Sequence, residues 1–338
     1  MQACRLEKSP FTPIWLMRQA GRYLPSYRKV RDQVGFLQLC KSPQLAAEVT
    51  VNAVEELGVD AAIIFADILL LLEPLGAELE FAQGEGPIIH NPVATAADVE
   101  RMAKRATALA GQLDYVMQAI TLARRNLPAH IPLIGFAGAP FTLASYLIEG
   151  GSSRNFQKTK TFMYQNPRSW QQLMQVLSQA VADYLHAQAD AGAQAVQLFD
   201  SWVGCLAVAD YEQYVQEHMI ATISSVASRL PVIHFGTTTA HLLPQMALAG
   251  SQVIGLDWRV KLDSAWQQLG SQFAVQGNLD PVLLFADKRE IKRRVEDILA
   301  QAGGRPGHIF NLGHGVLPGT PVEHVKYLIK IVHELSQV

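Results

Sequence analysis

Eight short apolar runs, each followed by a polar or glycine-containing turn and then a helical segment, restrict the possible folds of this chain more than any other feature. They fall at 14–17, 61–66, 131–136, 195–199, 232–235, 253–256, 273–276 and 308–311. None sustains the polar–apolar alternation of a strand with one wet face, so each is expected to be buried on both faces. Helical periodicity fills the intervals. Pro43–Leu57 has Ser42 as an N-cap and Gly58 at its stop, a helix starts near Phe141, and further helices are expected over 168–190, 210–229, 287–301 and 322–335. Strand and helix alternating eight times predict an α/β protein, a single (β/α)8 TIM barrel. An open, doubly wound sheet has the same periodicity, and only the strand count favours closure.

Composition narrows the class of partner. The 338 residues contain no Pro/Ser-rich linker and no compositional break, so residues 1–338 are read as a single domain. Hydrophobic residues make up 49%, enough for one large core, and the net charge of −2 gives no basic field for nucleic acid or an anionic membrane. Any anionic ligand must be met by local charge. The cysteines Cys4, Cys40 and Cys205 form no C-x-x-C pair, which points to a reducing compartment and to neither a disulfide framework nor a zinc site. No apolar run reaches the ~18 residues of a membrane span, and the first residues lack the apolar centre of a secretion signal; a soluble cytoplasmic protein is expected. The stretch 75–97, with Gly76, Gly84, Gly86, Pro87 and Pro92, reads as an insertion after the second strand, of a kind that often folds over a barrel's site.

Local charge is concentrated at 13–31. The apolar Ile14, Trp15, Leu16 and Met17 lead into Arg18, Arg22, Arg28, Lys29 and Arg31 with no acid among them. A solvated basic loop is the ordinary reading of such a run. Trp15, Met17, Tyr23 and Tyr27 are interleaved with the cations, however, and two arginines just past a buried strand, separated by Ala20 and Gly21, suit a grip on carboxylates or phosphates.

In a barrel the functional groups gather at the C-terminal ends of the strands. The polar residues there are Arg18, Arg22, Asp67, Asp200, Ser201, Asp257, Asn278 and His314. Asp67 is the most telling, since it interrupts an apolar run, Ile63 to Ala66 before it and Ile68 to Leu72 after it. A carboxylate there is either a cap or arginine-paired structural group, or one whose protonation is put to use. Ser201 lies in Phe199-Asp200-Ser201-Trp202, which is no nucleophile elbow, so it is read as a hydrogen-bonding group. His314, between Gly313 and Gly315, reads either as a ligand neighbour or as a satisfied structural histidine. His234 and His241 make a poor metal pair. The segment 135–153 passes from strand to helix through Gly138 and Pro140; it lacks the spacing of a dinucleotide fingerprint and the Lys-Ser/Thr of a P-loop, and its glycines leave Tyr146 and Arg154 unexplained.

Two of these segments, P-I-W-L-M-R-Q-A-G-R-Y-L-P at 13–25 and G-F-A-G-A-P-F-T-L-A-S-Y-L-I-E-G-G at 135–151, resemble the signature segments of the uroporphyrinogen decarboxylase family. The resemblance continues through F-A-D-I (65–68), F-D-S-W (199–202), G-L-D-W (255–258), Q-G-N-L-D-P (276–281) and N-L-G-H-G (311–315), and so covers nearly the whole chain. It implies a barrel enzyme, usually a homodimer, that removes carbon dioxide from the four acetate arms of uroporphyrinogen III to give coproporphyrinogen III with no metal, flavin or other cofactor. It also implies a site made of Arg18, Arg22, Asp67, Tyr146, Ser201 and His314. In that picture Asp67 accepts hydrogen bonds from the pyrrole N–H groups and stabilises the cation that serves as electron sink, while Arg18 and Arg22 hold substrate carboxylates with Tyr146, Ser201 and His314. The proton donor is left open between Arg18 and an acid acting through water or a substrate carboxyl.

One departure is visible, since Phe235-Gly236-Thr237-Thr238-Thr239 is threonine-rich where the family more often has Lys-Gly. A corrinoid-dependent methyltransferase of the same superfamily would need an H-x-C zinc motif, but His234 is followed by Phe235 and Gly236 and no cysteine lies beyond Cys205. A non-catalytic tetrapyrrole carrier is the remaining rival; the retained Asp67 and Arg18 argue against it.

Overall fold

The computed structural model describes residues 1–82, 86–106 and 111–337. In chain order its strands are β1 (Ala62–Ile63), β2 (Leu79–Ala82), β3 (Gly86–Ile89), β4 (Leu133–Gly138), β5 (Ala195–Asp200), β6 (Val232–Gly236), β7 (Val253–Gly255), β8 (Ala274–Gln276) and β9 (His308–Ile309). Seven of them form one parallel sheet in the order β1-β4-β5-β6-β7-β8-β9. Each new strand is therefore added to the same growing edge. A doubly wound sheet reverses direction part-way, so this order rules out the doubly wound alternative. The expected double burial holds as well: all six residues of β4 are buried, as are all five of β6.

The expected first strand at 14–17 is reduced to a parallel bridge between Ile14 and Phe310. Side chains account for this. Gln19 Oε1 accepts the N–H of Leu16 at 3.1 Å and Asn311 Oδ1 accepts that of Met17 at 3.1 Å, so these donors are withdrawn from any ladder. The segment nonetheless lies against both edges of the sheet. Phe310 N–H donates to Pro13 O at 2.8 Å on one side, and Asp60 N–H donates to Ile14 O at 2.8 Å on the other. The second expected strand, 61–66, also ends early: Ile64 still donates to Ile134 O at 3.0 Å, but the next N–H, of Phe65, goes to Thr50 Oγ1 at 2.9 Å.

Among the helices, Pro43–Leu57 ends as expected at Gly58, whose φ of 74° is the left-handed stop. The helix expected over 210–229 is two, Val208–Tyr214 and Gln216–Ala227. The indole Nε1 of buried Trp170 donates at 3.0 Å to Tyr214 O, the carbonyl that a continuous helix would use four residues on. The 75–97 insertion contains the antiparallel pair β2 and β3, with 83–85 outside the described residues. It is tied to the helix Pro140–Glu149 by hydrogen bonds from Ile89 N–H to Gly150 O and from Val93 N–H to Leu147 O, both 2.9 Å. Among the described residues no helix is long and apolar enough to cross a membrane.

Polar side chains are joined by hydrogen bonds across the sheet interior. Trp15 Nε1 donates to Gln276 Oε1 at 3.0 Å, and Gln276 Nε2 donates to Gln197 Oε1 at 2.9 Å. This chain links the N-terminal segment to β8 and β5 through buried atoms, where each bond lacks competition from water.

Candidate active site

Asp67 stands just beyond β1, on a turn anchored by Leu69, Leu70, Leu71 and Leu72, all buried. Its Oδ1 accepts the N–H of Leu69 at 2.8 Å, which fixes the rotamer. The absence of a side chain on Gly138 lets this turn close on the end of β4, for a Cβ there would come within 3.3 Å of Ile68 Cβ. Loss of water around the half-buried carboxylate pushes its pKa up to about 6, against the pull of the Leu69 N–H and of the Arg18 charge.

The same charges link the other groups. Burial and the nearby Asp67 raise the Tyr146 phenol to about 12, with Arg18 opposing. Burial, Arg18 and Arg259 hold the half-buried His314 below the usual histidine range and favour its neutral form. Asp67, Arg18, Tyr146 and His314 thus share one electrostatic neighbourhood, although they come from the ends of four distant chain segments. Arg18 itself is exposed, has a left-handed φ of 61° and makes no hydrogen bond or ion pair with the described residues. A guanidinium held in that way is available for an anion.

Tyr146, on the helix Pro140–Glu149, lies against Trp202 with ring centroids 3.7 Å apart, and Phe156 meets the other ring edge-on at 5.2 Å. Trp202 is held in turn: its N–H donates to Thr142 Oγ1 at 3.3 Å, and that hydroxyl donates to Asp200 Oδ1 at 3.2 Å. Ser201, between them, is half-buried and its hydroxyl makes no hydrogen bond to the described residues, while its carbonyl accepts from Thr237 Oγ1. Arg22 is exposed on the following turn, and its field is felt at Tyr27 rather than at Asp67.

Three of the strand-end polar residues serve the scaffold. Asp200 is fully buried, faces Thr142, and lies 3.4 Å from His234 Nε2. Asp257 is buried and accepts from Thr238 N–H at 2.5 Å and from Arg259 Nη1 at 2.6 Å. Asn278 donates to the carbonyls of Asp257 and Val260, both at 2.8 Å. The threonine-rich segment that departs from the family pattern is therefore a strap, joining Ser201 on one side to Asp257 on the other.

Arg259 was not expected from the sequence. Its guanidinium lies 3.9 Å above the Trp258 ring and its charge reaches His314. The signal was available, since it follows G-L-D-W at a strand end, but a single arginine two residues past an aspartate reads as its surface partner. Taken together, the groups could receive a multiply anionic ligand with a polar centre: cations and hydroxyls around a carboxylate that is half in its neutral form near pH 6.

Comparison with known proteins shows the family. Residues 1–335 match the family model described as Uroporphyrinogen decarboxylase (URO-D). The uroporphyrinogen decarboxylase of Carboxydothermus hydrogenoformans is 52% identical over 339 residues, covering 100% of this chain and 96% of the relative. That of Chloroflexus aurantiacus is 54% identical over 337 residues, covering 98% and 94%. Among solved structures, a methyltransferase from Methanosarcina mazei superposes with a TM-score of 0.78 at 19% identity, covering 98% of this chain and 96% of the other, a likeness of fold alone.

Proposed function

Because the chain belongs to the uroporphyrinogen decarboxylase family, we propose that it removes the carboxyl groups of the four acetate arms of uroporphyrinogen III, giving coproporphyrinogen III in tetrapyrrole biosynthesis. It is a carboxy-lyase on this reading. Loss of carbon dioxide breaks the bond between the acetate methylene and its carboxylate and leaves an electron pair that needs a sink. A pyrrole protonated at a ring carbon accepts that pair, a second proton on the freed methylene completes the methyl group, and the ring carbon then gives up its own proton, so that the pyrrole is restored and one proton is consumed for each carbon dioxide released.

Asp67 is assigned the centre of the tetrapyrrole, accepting its N–H groups and stabilising the ring cation as it forms, a preorganised charge in a partly desolvated cleft. Arg18 and Arg22 are assigned to acetate and propionate carboxylates, Tyr146, Ser201 and His314 to hydrogen bonds that orient the reacting arm. The observation that supports this above the carrier reading is the carboxylate of Asp67 itself, desolvated yet held in the field of Arg18. A carrier gains nothing from a charge that costs free energy to keep ionised.

The curled seven-stranded sheet, with 13–15 lying against both its edges, supports a closed eight-stranded barrel formed by residues 1–338 as one domain. A cytoplasmic homodimer acting without nucleic acid or membrane completes the reading, and light scattering of the purified protein tests the dimer.

The activity is tested by anaerobic incubation of EDTA-treated protein with uroporphyrinogen III, then oxidation and separation of the porphyrins by carboxylate number. Stepwise loss of carboxylates ending at coproporphyrin is the expected result. Tight binding with no loss would overturn the decarboxylase in favour of a carrier.

A further inference from the structure

Gly315 has no backbone reason to be glycine, because its φ is not left-handed. What it supplies is space. A Cβ at this position would stand 2.4 Å from Cδ, 2.6 Å from Cγ and 3.0 Å from Nε of Arg18, well inside carbon–carbon contact. All three of its nearest neighbours belong to that one side chain.

Arg18 has little freedom to move aside at its root. Its left-handed backbone is one that non-glycine residues adopt only at a cost in free energy, so surrounding contacts must hold it. Those contacts are present. Met17 N–H donates to Asn311 Oδ1 at 3.1 Å, Val316 N–H donates to Met17 O at 2.9 Å, and Gln19 N–H donates to Leu16 O at 3.0 Å. The loop carrying Gly315 is thereby laced to the backbone on which Arg18 stands, immediately beside it.

We propose that Gly315 is a positioning residue for the reaction: its missing side chain is the slot in which the aliphatic stem of Arg18 lies, so that the guanidinium is carried to the cleft beside Asp67. The inference rests on the reading of Arg18 as a group that grips substrate. It goes beyond that reading by making a residue without any side chain responsible for where the grip is.

Arg18→Ala, Gly315→Ala and the double variant, each assayed for kcat and KM, test it. Arg18→Ala should lower kcat/KM by ~100-fold, Gly315→Ala by ~10-fold or more with the same division between KM and kcat, and the second change on the Arg18→Ala background by less than ~2-fold, as residues acting through one contact are non-additive. A Gly315→Ala enzyme with parental kinetics beside an inactive Arg18→Ala would overturn the slot and leave the role of Arg18 standing. Losses that multiply in the double variant would overturn it too, while parental kinetics in Arg18→Ala would remove the premise. If Gly315→Ala does not fold, recovery of the parental thermal midpoint in the double variant supports the slot, and its failure to recover speaks against it.

Discussion

Trp202 lies nearly flat on Tyr146, with ring centroids 3.7 Å apart and planes inclined by 27°. The Tyr146 hydroxyl makes no hydrogen bond with the described residues, so the stack, with Phe156 edge-on behind Trp202, determines the direction of the phenol. Replacing Trp202 with Ala should raise KM about 3- to 10-fold, the size of one aromatic pair, with a smaller change in Trp202→Phe. Steady-state assays of both variants check this, and equal effects from Ala and Phe would mean that the stack does not orient Tyr146.

Asp67 titrates near 6, so its charge is lost on the acid side of neutrality. If the charge does the work, kcat/KM should be level above that pH and fall ~tenfold per unit below it. Asp67→Asn keeps an oxygen for the Leu69 N–H and should fold normally while losing kcat by ~100- to 1,000-fold, the range for removal of one preorganised group. A pH profile and single-turnover rates for the variant decide the matter.

The same residue should weaken the fold. Its carboxyl binds a proton more tightly in the native chain, near 6, than in the unfolded chain, near 3.8. The native state is therefore favoured below 3.8 and loses that advantage as pH rises through about 6. Asp67→Asn, neutral throughout, should be more stable than the parent by about 1–2 kcal/mol at pH 8, a figure that allows for water reaching the half-buried group, and equal to it near pH 4. Urea unfolding at the two pH values gives the comparison, and a variant less stable at pH 8 would contradict the burial argument.

The buried chain from Trp15 through Gln276 to Gln197 offers a contrasting substitution. Gln276→Ala strips a partner from both neighbours and leaves a cavity, so stability should fall by about 3 kcal/mol. KM should stay within about 2-fold, since Gln276 is buried and its side chain bonds, among the described residues, only to Trp15 and Gln197, neither of which is assigned to substrate. Denaturation midpoints and kinetics on one preparation test both halves.

The parts of the fold legible in the sequence are those where one signal faced no competitor. β4, β5 and β6 are continuous apolar runs closed by a turn, and they appear almost where the pattern put them. The run at 14–17 looked equivalent, but Gln19 and Asn311 divert its N–H groups, one of them from nearly 300 residues away. The interruption at Val215 carries no Gly or Pro, because its cause is the indole of Trp170 on another helix. Position at a strand end picked out Asp67 and His314, yet it could not separate them from Asp200 and Asp257, whose carboxylates face inward to Thr142 and Thr238. Burial distinguishes the two sets, and burial belongs to the fold rather than to the local sequence.

The contact between 13–17 and 309–316 also has a bearing on synthesis. Pro13 and Met17 leave the ribosome nearly 300 residues before Phe310, Asn311 and Val316, yet Phe310 donates to Pro13, and Met17 exchanges hydrogen bonds with Asn311 and Val316. The arginine side of the cleft must wait, unseated, until residues 310–316 have been made. A polypeptide that stops short of residue 310 could build β4 to β7 and still lack the contacts that seat the segment carrying Arg18.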